Sequence, residues 1–417
     1  MPGLWRLLAG HRDLRLLLSA GLVSLTGDWI LRTGLAYAVY ALTGSTLASA
    51  TTLLAALVPQ VAFASLAGVY VDRWDRRTTM VVTNLLLAVT LLPLLFVHSG
   101  RDVGLVYLVS VVQSTLAQFF VAAEAALLPH TVPASELVRA NALNGQNRDV
   151  ARLLGAALGG VAAGLGGITA LALVDAFSFV LAAALLALIR LKPARLVRPA
   201  TRVGRELADG ARIAARSATL RLLLLFVVIT GLGEAAMGTL MAPFVRDVLH
   251  GDARTYGLIL ASQAAGGIAG GLVVATIAPR FQPRRLLGAG AVAFGVLDLL
   301  LFLYPLLTRA LWPAYTIMIV VGLPGALTLA GLVTVFQTAT GDDHRGRVFG
   351  LANALQGAAM LAGALASGAL GERLGIVPVI AVQGAGYCVG GALMLLRLPP
   401  AEREERSPPD RAPADAR

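Results

Sequence analysis

Charged side chains lie inside several apolar runs of this chain. Asp28 sits within the run 14–41, and Arg32 follows it at i, i+4 on the same helical face, so the two can pair locally. Arg148, Asp149 and Arg152 place two cations on one face, with an acid beside them, in the Gly/Ala-rich run 137–163. Asn144, Gln146 and Asn147 extend that polar face. Glu234 lies in the run 218–245 beside Gly231, Gly233 and Gly238, which make that segment bendable. Intramembrane ionisable groups are disfavoured, and they persist where they serve function or a permanent pair. The chemistry open to a carboxylate there is taking up and releasing a proton; its alternative is a structural ion pair. Asp298, in 285–307, fits the structural reading better. Glu124 lies near one end of its run, and Asp175 has no evident partner.

The elements that must carry these residues follow from composition. Apolar residues make up 57% of the 417-residue chain and charged ones 14%, against about 25% charged in a soluble domain. Twelve candidate spans are 14–41, 46–71, 78–98, 103–128, 137–163, 167–190, 218–245, 255–279, 285–307, 311–337, 346–371 and 376–397, each near the roughly 20 residues a bilayer requires. The first is too long for a signal sequence and reads as a retained span. The net charge of +11 falls in short clusters between spans rather than on a continuous face, which excludes nucleic acid as a partner. The single cysteine, Cys388, excludes a disulfide framework and a cysteine zinc site.

Arginine and lysine cluster at every second turn, so both termini are expected on the cytoplasmic side of a cell (inner or plasma) membrane. The stretch 191–217 divides the spans six and six. It reads as a basic cytoplasmic linker containing a weakly amphipathic helix near Glu206–Ile213. The expected organisation is an N-terminal bundle 1–190, the linker 191–217, a C-terminal bundle 218–398 and a disordered cytoplasmic tail 399–417 rich in Pro, Arg, Glu, Asp and Ala.

The halves echo each other. Ala140-Asn141-Ala142-Leu143 opens the fifth span and Ala352-Asn353-Ala354-Leu355 lies early in the eleventh. Gly68-Val-Tyr-Val-Asp72-Arg73-Trp-Asp75-Arg76-Arg77 joins spans 2 and 3, and Pro279-Arg280-Phe-Gln-Pro-Arg284-Arg285 joins spans 8 and 9. Such repeats let two bundles rock about a central site.

Over nearly its whole length the chain resembles the major facilitator superfamily. Gly68, Asp72, Arg73, Arg76 and Arg77 match the family's Gly-x-x-x-Asp-Arg-x-Gly-Arg-Arg/Lys signature after span 2, with Asp75 in place of the usual glycine. The resemblance implies an all-α membrane protein with twelve transmembrane helices in two pseudo-symmetric six-helix bundles. It also implies a cytoplasmic latch. Asp72 would face the N-terminus of span 11, where free backbone N–H groups favour negative charge. Arg73 and Arg76 or Arg77 would pair with nearby acids, and Glu124 would act as a gate or latch partner. Arg280 stands in the acid's slot in the second half, so the latch would be one-sided.

Gly155, Gly159 and Gly160 resemble the family's Gly-Pro-x-x-Gly-Gly antiporter motif, with Ala156 for proline; the alternative is ordinary small-residue packing. The arginine of Arg-x-x-Gln-Gly in span 4 of many proton-coupled drug exporters is missing. Gly27-Asp28-Trp29, Tyr40-Ala-Leu-Thr-Gly-Ser45 and Leu127-Leu-Pro129 are similar to the enterobactin-exporter and macrolide-efflux branch. Spans 1 and 5 line the cavity in that superfamily, so Asp28 and Arg148 are expected to meet across it. Met237, Met241, Phe226, Phe244 and Phe336 are candidates for an apolar pocket or for plain packing.

There is no Gly-x-x-x-x-Gly-Lys-Ser/Thr phosphate loop and no His-x-x-x-His spacing, so neither an enzyme nor a cofactor is expected. The reading is a monomeric secondary transporter, exporting an amphipathic drug, siderophore or secondary metabolite in exchange for protons. Its partners are a small-molecule substrate, protons and membrane lipid. The alternatives are a lipid or lysolipid flippase, a small-solute uptake carrier, or a non-transporting membrane sensor or scaffold.

Overall fold

In lipid every backbone N–H and C=O must find a partner within the protein, so an apolar run that crosses becomes a helix. The computed structural model describes residues 7–71, 73–190, 203–341 and 344–398. The expected latch acid Asp72, most of the linker and the tail 399–417 lie outside the described residues. Helices α1 (Arg12–Thr43), α2 (Thr46–Val71), α3 (Arg76–Thr90, extended by a 3-10 turn Leu92–Phe96) and α4 (Val103–Leu127) open the chain. No strand occurs among the described residues.

The next helical stretch, Leu137–Ala187, has 51 residues. Straight, it would run about 76 Å, more than twice the roughly 30 Å of bilayer hydrocarbon. It breaks at Gly166 (φ −147°, ψ 18°) and Gly167 (φ 58°, ψ −148°), and the second conformation is open essentially to glycine alone. The arms are α5 (137–165) and α6 (168–187). Gly155 abuts Trp29 and Gly159 abuts Ile30, so α5 runs parallel to α1; Leu171 abuts Gly34 and Ser178 abuts Gly27, so α6 runs back. Eleven apolar helical stretches among the described residues are long enough to cross a bilayer, and this reversal divides one of them into the expected fifth and sixth spans.

Helix α7 (Val203–Arg216) is the linker's amphipathic helix, longer than the sequence alone indicates. Gly210 brings it onto the backbone of Arg347. Then come α8 (Ala218–Pro243, continued by a π turn Phe244–Val248), α9 (Ala253–Ile277), α10 (Pro283–Leu303), α11 (Trp312–Ala339), α12 (Arg345–Leu374), the short α13 (Ile376–Ile380) and α14 (Val382–Arg397). The last two form one crossing.

Lipid supplies little hydrophobic drive between helices, so small residues bring the backbones together. In the first half, α1 lies in the fork of α5 and α6, α2 packs on α4, and α3 bridges α4 and α6. In the second, α8 packs on α12 and α14, and α10 on α11 and α14. Gly295 and Gly384 bring α10 and α14 to van der Waals contact. Two apolar clusters fill the first half and two the second. Leu7, Leu398 and the arginine-rich turns share one side, the basic face. Arg101, Arg246, Arg254, Arg309 and Arg373 are the arginines of the opposite face.

Candidate functional site

The halves meet by hydrogen bonds only near the opposite face, among the described residues. Tyr37 donates its hydroxyl to the Gly251 carbonyl at 3.0 Å. Tyr40 donates to the Asp247 carboxylate, while Arg246 donates to the Tyr40 carbonyl at 2.9 Å and lies 5.7 Å from that ring's centroid. Thr46 donates to the Gly368 carbonyl at 2.7 Å. Glu372 accepts from the Ser45 hydroxyl and the Leu47 N–H. Between α5 and α9, a Cβ on Gly160 would fall 2.3 Å from the Ala253 carbonyl oxygen and 2.9 Å from the Gly257 Cα.

Away from this clasp the halves still touch at Val61 of α2 and Gly357 of α12, and a cavity lies mainly within the second half. Its volume is about 890 Å³, and it is lined by α5, α8, α9, α10, α11, α12 and α14. Its polar lining includes Asp149 and Arg152 from α5, Glu234 from α8, Gln263 from α9, Gln356 from α12 and Tyr387 from α14, against the rings of Phe226 and Phe294. Helices α9 and α11 touch at Gly266–Ile319 and Gly270–Gly322. Beyond that crossing, toward the basic face, both line the cavity through Val274, Ala275, Leu329 and Val333.

Glu234 is fixed by two donors. The Tyr387 hydroxyl reaches Oε1 at 2.7 Å, and the Gln356 amide reaches Oε2 at 3.3 Å. Asp298, fully buried on α10, lies within electrostatic reach of Glu234, and neither of its oxygens has a hydrogen-bond partner. Asp28 and Glu234 are positional equivalents: each lies sixteen residues beyond the first residue of its helix, Arg12 and Ala218.

The expected meeting of Asp28 with Arg148 does not occur. Arg148 donates instead to Glu124 at 2.8 Å, a half-exposed guanidinium on a carboxylate only 3% exposed. Register explains this. Gly155 aligns with Trp29, so Arg148 lies six residues, about 9 Å, nearer the basic face than Asp28. The neighbour of Asp28 is Asp175, fully buried on α6 where Gly27 leaves room for it. Ser178 donates to one oxygen of Asp175, and the other has no partner. The sequence reading missed this pair; the small residue at Gly27, one position before an intramembrane acid, was the available signal. Arg32, exposed, is within electrostatic reach of Asp28, but no ion pair joins the two.

The turn after α2 also differs from expectation. Asp75, the residue in the glycine slot, is the N-cap of α3 and accepts from the Thr78 N–H at 2.8 Å. Arg76 is buried and bonds His130 at 2.7 Å, and Arg77 donates to the Ala187 carbonyl. Acids expected beside Arg73, Arg76 and Arg77 are not found among the described residues. Glu124 belongs to Arg148 rather than to this turn, because it faces α5 and α1 from inside the half. Gly68 has open space around it. Of the candidate pocket residues, Phe226 lines the cavity, while Met241, Phe244 and Phe336 are buried in the apolar clusters.

Comparison with known proteins agrees with this architecture. The family model described as transmembrane secretion effector matches residues 9–416. The chain is 22% identical over 359 residues to macrolide efflux protein A of Streptococcus pyogenes, covering 85% of this chain and 88% of the relative. It is 27% identical over 401 residues to the multidrug efflux pump Tap of Mycobacterium tuberculosis, covering 92% and 93%. A crystal structure of the nucleoside transporter NupG superposes with a TM-score of 0.77 at 12% identity over 92% of this chain and 99% of that one, which shows a common fold. The chain therefore belongs to the transmembrane secretion effector family, in the efflux branch of the major facilitator superfamily, and is a multi-pass membrane transporter rather than an enzyme.

Proposed function

We propose that the chain is a proton-coupled exporter of amphipathic small molecules that works by alternating access as a monomer. The observation that carries this reading is the cavity of about 890 Å³, whose lining runs from mid-depth toward the basic face at Ala278 and Thr334, while the Tyr40–Asp247, Thr46–Gly368 and Gly160–Gly257 contacts join the halves at the other face. Arginine marks the cytoplasmic side, so the termini are cytoplasmic and the structure is inward-facing. Aromatic walls with a few polar groups suit an amphipathic load, in keeping with relatives named for macrolide and multidrug efflux.

Asp28, beside Asp175 and in reach of Arg32, is the proton-carrying candidate of the first half, and Glu234 that of the second. Two carboxylates close together in a membrane cannot both carry charge without strong repulsion. That arrangement suits a site that gains and loses one proton per cycle. Asp72 and Arg73 are proposed to latch the cytoplasmic ends in the outward-open state, and Arg148 to hold the shape of α5 through Glu124.

Everted vesicles test the reading. Uphill accumulation of a fluorescent amphipathic drug should collapse with an uncoupler. Asp28→Asn should abolish it while leaving protein in the membrane; retained uphill transport in that variant would sink the coupling role. A flippase is the second reading, favoured by Leu329 of α11, which lines the cavity and is 62% exposed. Transport indifferent to every ion gradient would support it.

A further inference from the structure

We infer that the cavity contains an anion subsite at Arg152, so that its load is an amphipathic organic anion: an apolar body bearing one carboxylate or phosphate. This deepens the exporter reading and rests on it. Arg152 projects from α5 toward the other half, where Gly267 of α9 leaves space. A Cβ on that glycine would lie 3.6 Å from the nearer guanidinium nitrogen, Nη2, in ordinary contact. Among the described residues, the Nε of Arg152 is buried without a hydrogen-bond partner, and Arg152 belongs to none of the ion pairs. A buried N–H of a cation left unmatched is unfavourable and calls for an acceptor.

The other charges of the site do not supply it. Glu234 already accepts one hydrogen bond on each oxygen, from Tyr387 and Gln356. Asp149 is exposed, one helical turn nearer the basic face. Arg148, the neighbouring cation on α5, is satisfied by Glu124. The unmet demand of the cavity is thus for a negative group at Arg152, and the adjoining surface is apolar: Phe226, Phe294, and Val274 and Val333 of α9 and α11. A planar guanidinium takes carboxylate or phosphate oxygens in a two-pronged geometry, and the cleft receives the hydrocarbon or ring system behind it. Such a molecule can arrive from water as an organic acid or from the bilayer as a lysophospholipid.

The test compares binding of 1-pyrenebutyrate and its uncharged methyl ester to the full chain in phosphatidylcholine nanodiscs, each corrected for empty discs. The wild type should prefer the acid by about tenfold or more, the size of one charge-assisted pair. Arg152→Gln should bring the ratio near one, and Arg152→Lys should restore part of it. A wild-type ratio near one overturns the proposal, as does a ratio unchanged by Arg152→Gln. If Arg152→Gln fails to fold, the wild-type ratio and Arg152→Lys still decide. Displacement by 2-naphthoate in the buffer assigns an aqueous source, and displacement by lysophosphatidylglycerol in the disc assigns a bilayer source; displacement by neither overturns the subsite. Uphill uptake of the ester into everted vesicles is followed in parallel. Uptake with no acid preference in binding leaves the exporter standing and removes the subsite, whereas acid preference without uphill uptake removes the exporter and keeps the subsite.

Discussion

Gly160 of α5 and Gly257 of α9 touch backbone to backbone across the two halves: a Cβ on either would meet the other's Cα at 2.9 Å. No side chain larger than hydrogen fits between them while the opposite face is closed. Gly160→Val should therefore leave each half folded and weaken the closed seam by about 1–3 kcal/mol, the usual penalty of overpacking. The readout is cysteine labelling from the opposite face, on a background lacking the one native cysteine, Cys388. Labelling at position 263 or 356 should rise in Gly160→Val. Gly155→Val, which would strike α1 inside one half at Trp29, should instead lower thermal stability.

The second element of the seal is polar. Tyr40 bonds Asp247, and Arg246 grips both the carbonyl and the ring of Tyr40. Hydrogen bonds to a charged group are worth about 1.5–3 kcal/mol. Tyr40→Phe and Asp247→Asn should each raise opposite-face labelling by roughly 10-fold or more, and the double variant should add little to either single one. Additive effects would show that the two side chains do not act as one clasp.

These two relationships mark how far the sequence could be read. Run lengths and arginine placement made the twelve crossings legible, because lipid imposes length and topology locally. The glycines 155, 159 and 160 were legible as a seam, but not which seam: Gly155 and Gly159 face α1, and Gly160 faces the other half. Pairings were the least legible. Depth along two spans cannot be matched without their register, so Asp28 was assigned Arg148 when its neighbour is Asp175, on a helix 147 residues further along. Glu124, read as a partner of the Gly68–Arg77 turn, belongs to Arg148 for the same reason. Asp75 carried its own local signal, since an acid three residues before a threonine N–H at a helix start is an N-cap.

A pH dependence follows at the opposite face. Asp252 caps α9 and accepts from the Thr255 N–H and hydroxyl, both at 2.8 Å. Those bonds, the backbone one first, hold its carboxyl below the usual 3.8. A group with a depressed folded-state pKa stabilises fully above its unfolded value, and the contribution is lost as pH falls through the folded one. Asp252→Ala should cost about 1 kcal/mol near neutrality. Its deficit in thermal unfolding should be constant from neutral pH down to about pH 5 and shrink below 3.8. A deficit independent of pH throughout would mean that the cap does not act through its charge.

The Arg148–Glu124 pair predicts an asymmetry that a simple contact would not. Glu124 is 3% exposed and Arg148 50%, and the second carboxylate oxygen of Glu124 has no partner. Removing the cation strands a buried charge; removing the acid leaves a guanidinium that water can reach. Arg148→Gln should therefore lower the melting temperature clearly more than Glu124→Gln. Breaking a fully buried pair costs about 3–5 kcal/mol, and the exposure of Arg148 places its own loss below that range. The double variant Glu124→Gln/Arg148→Gln should recover part of the loss of Arg148→Gln, since two neutral amides remain to bond each other. Arg148 also stands between the basic face and Arg152, one turn further in. If Arg148→Gln instead left stability intact and altered only transport, the pair would open during the cycle, and Glu124 would join Asp28 and Glu234 among the carboxylates that change partners.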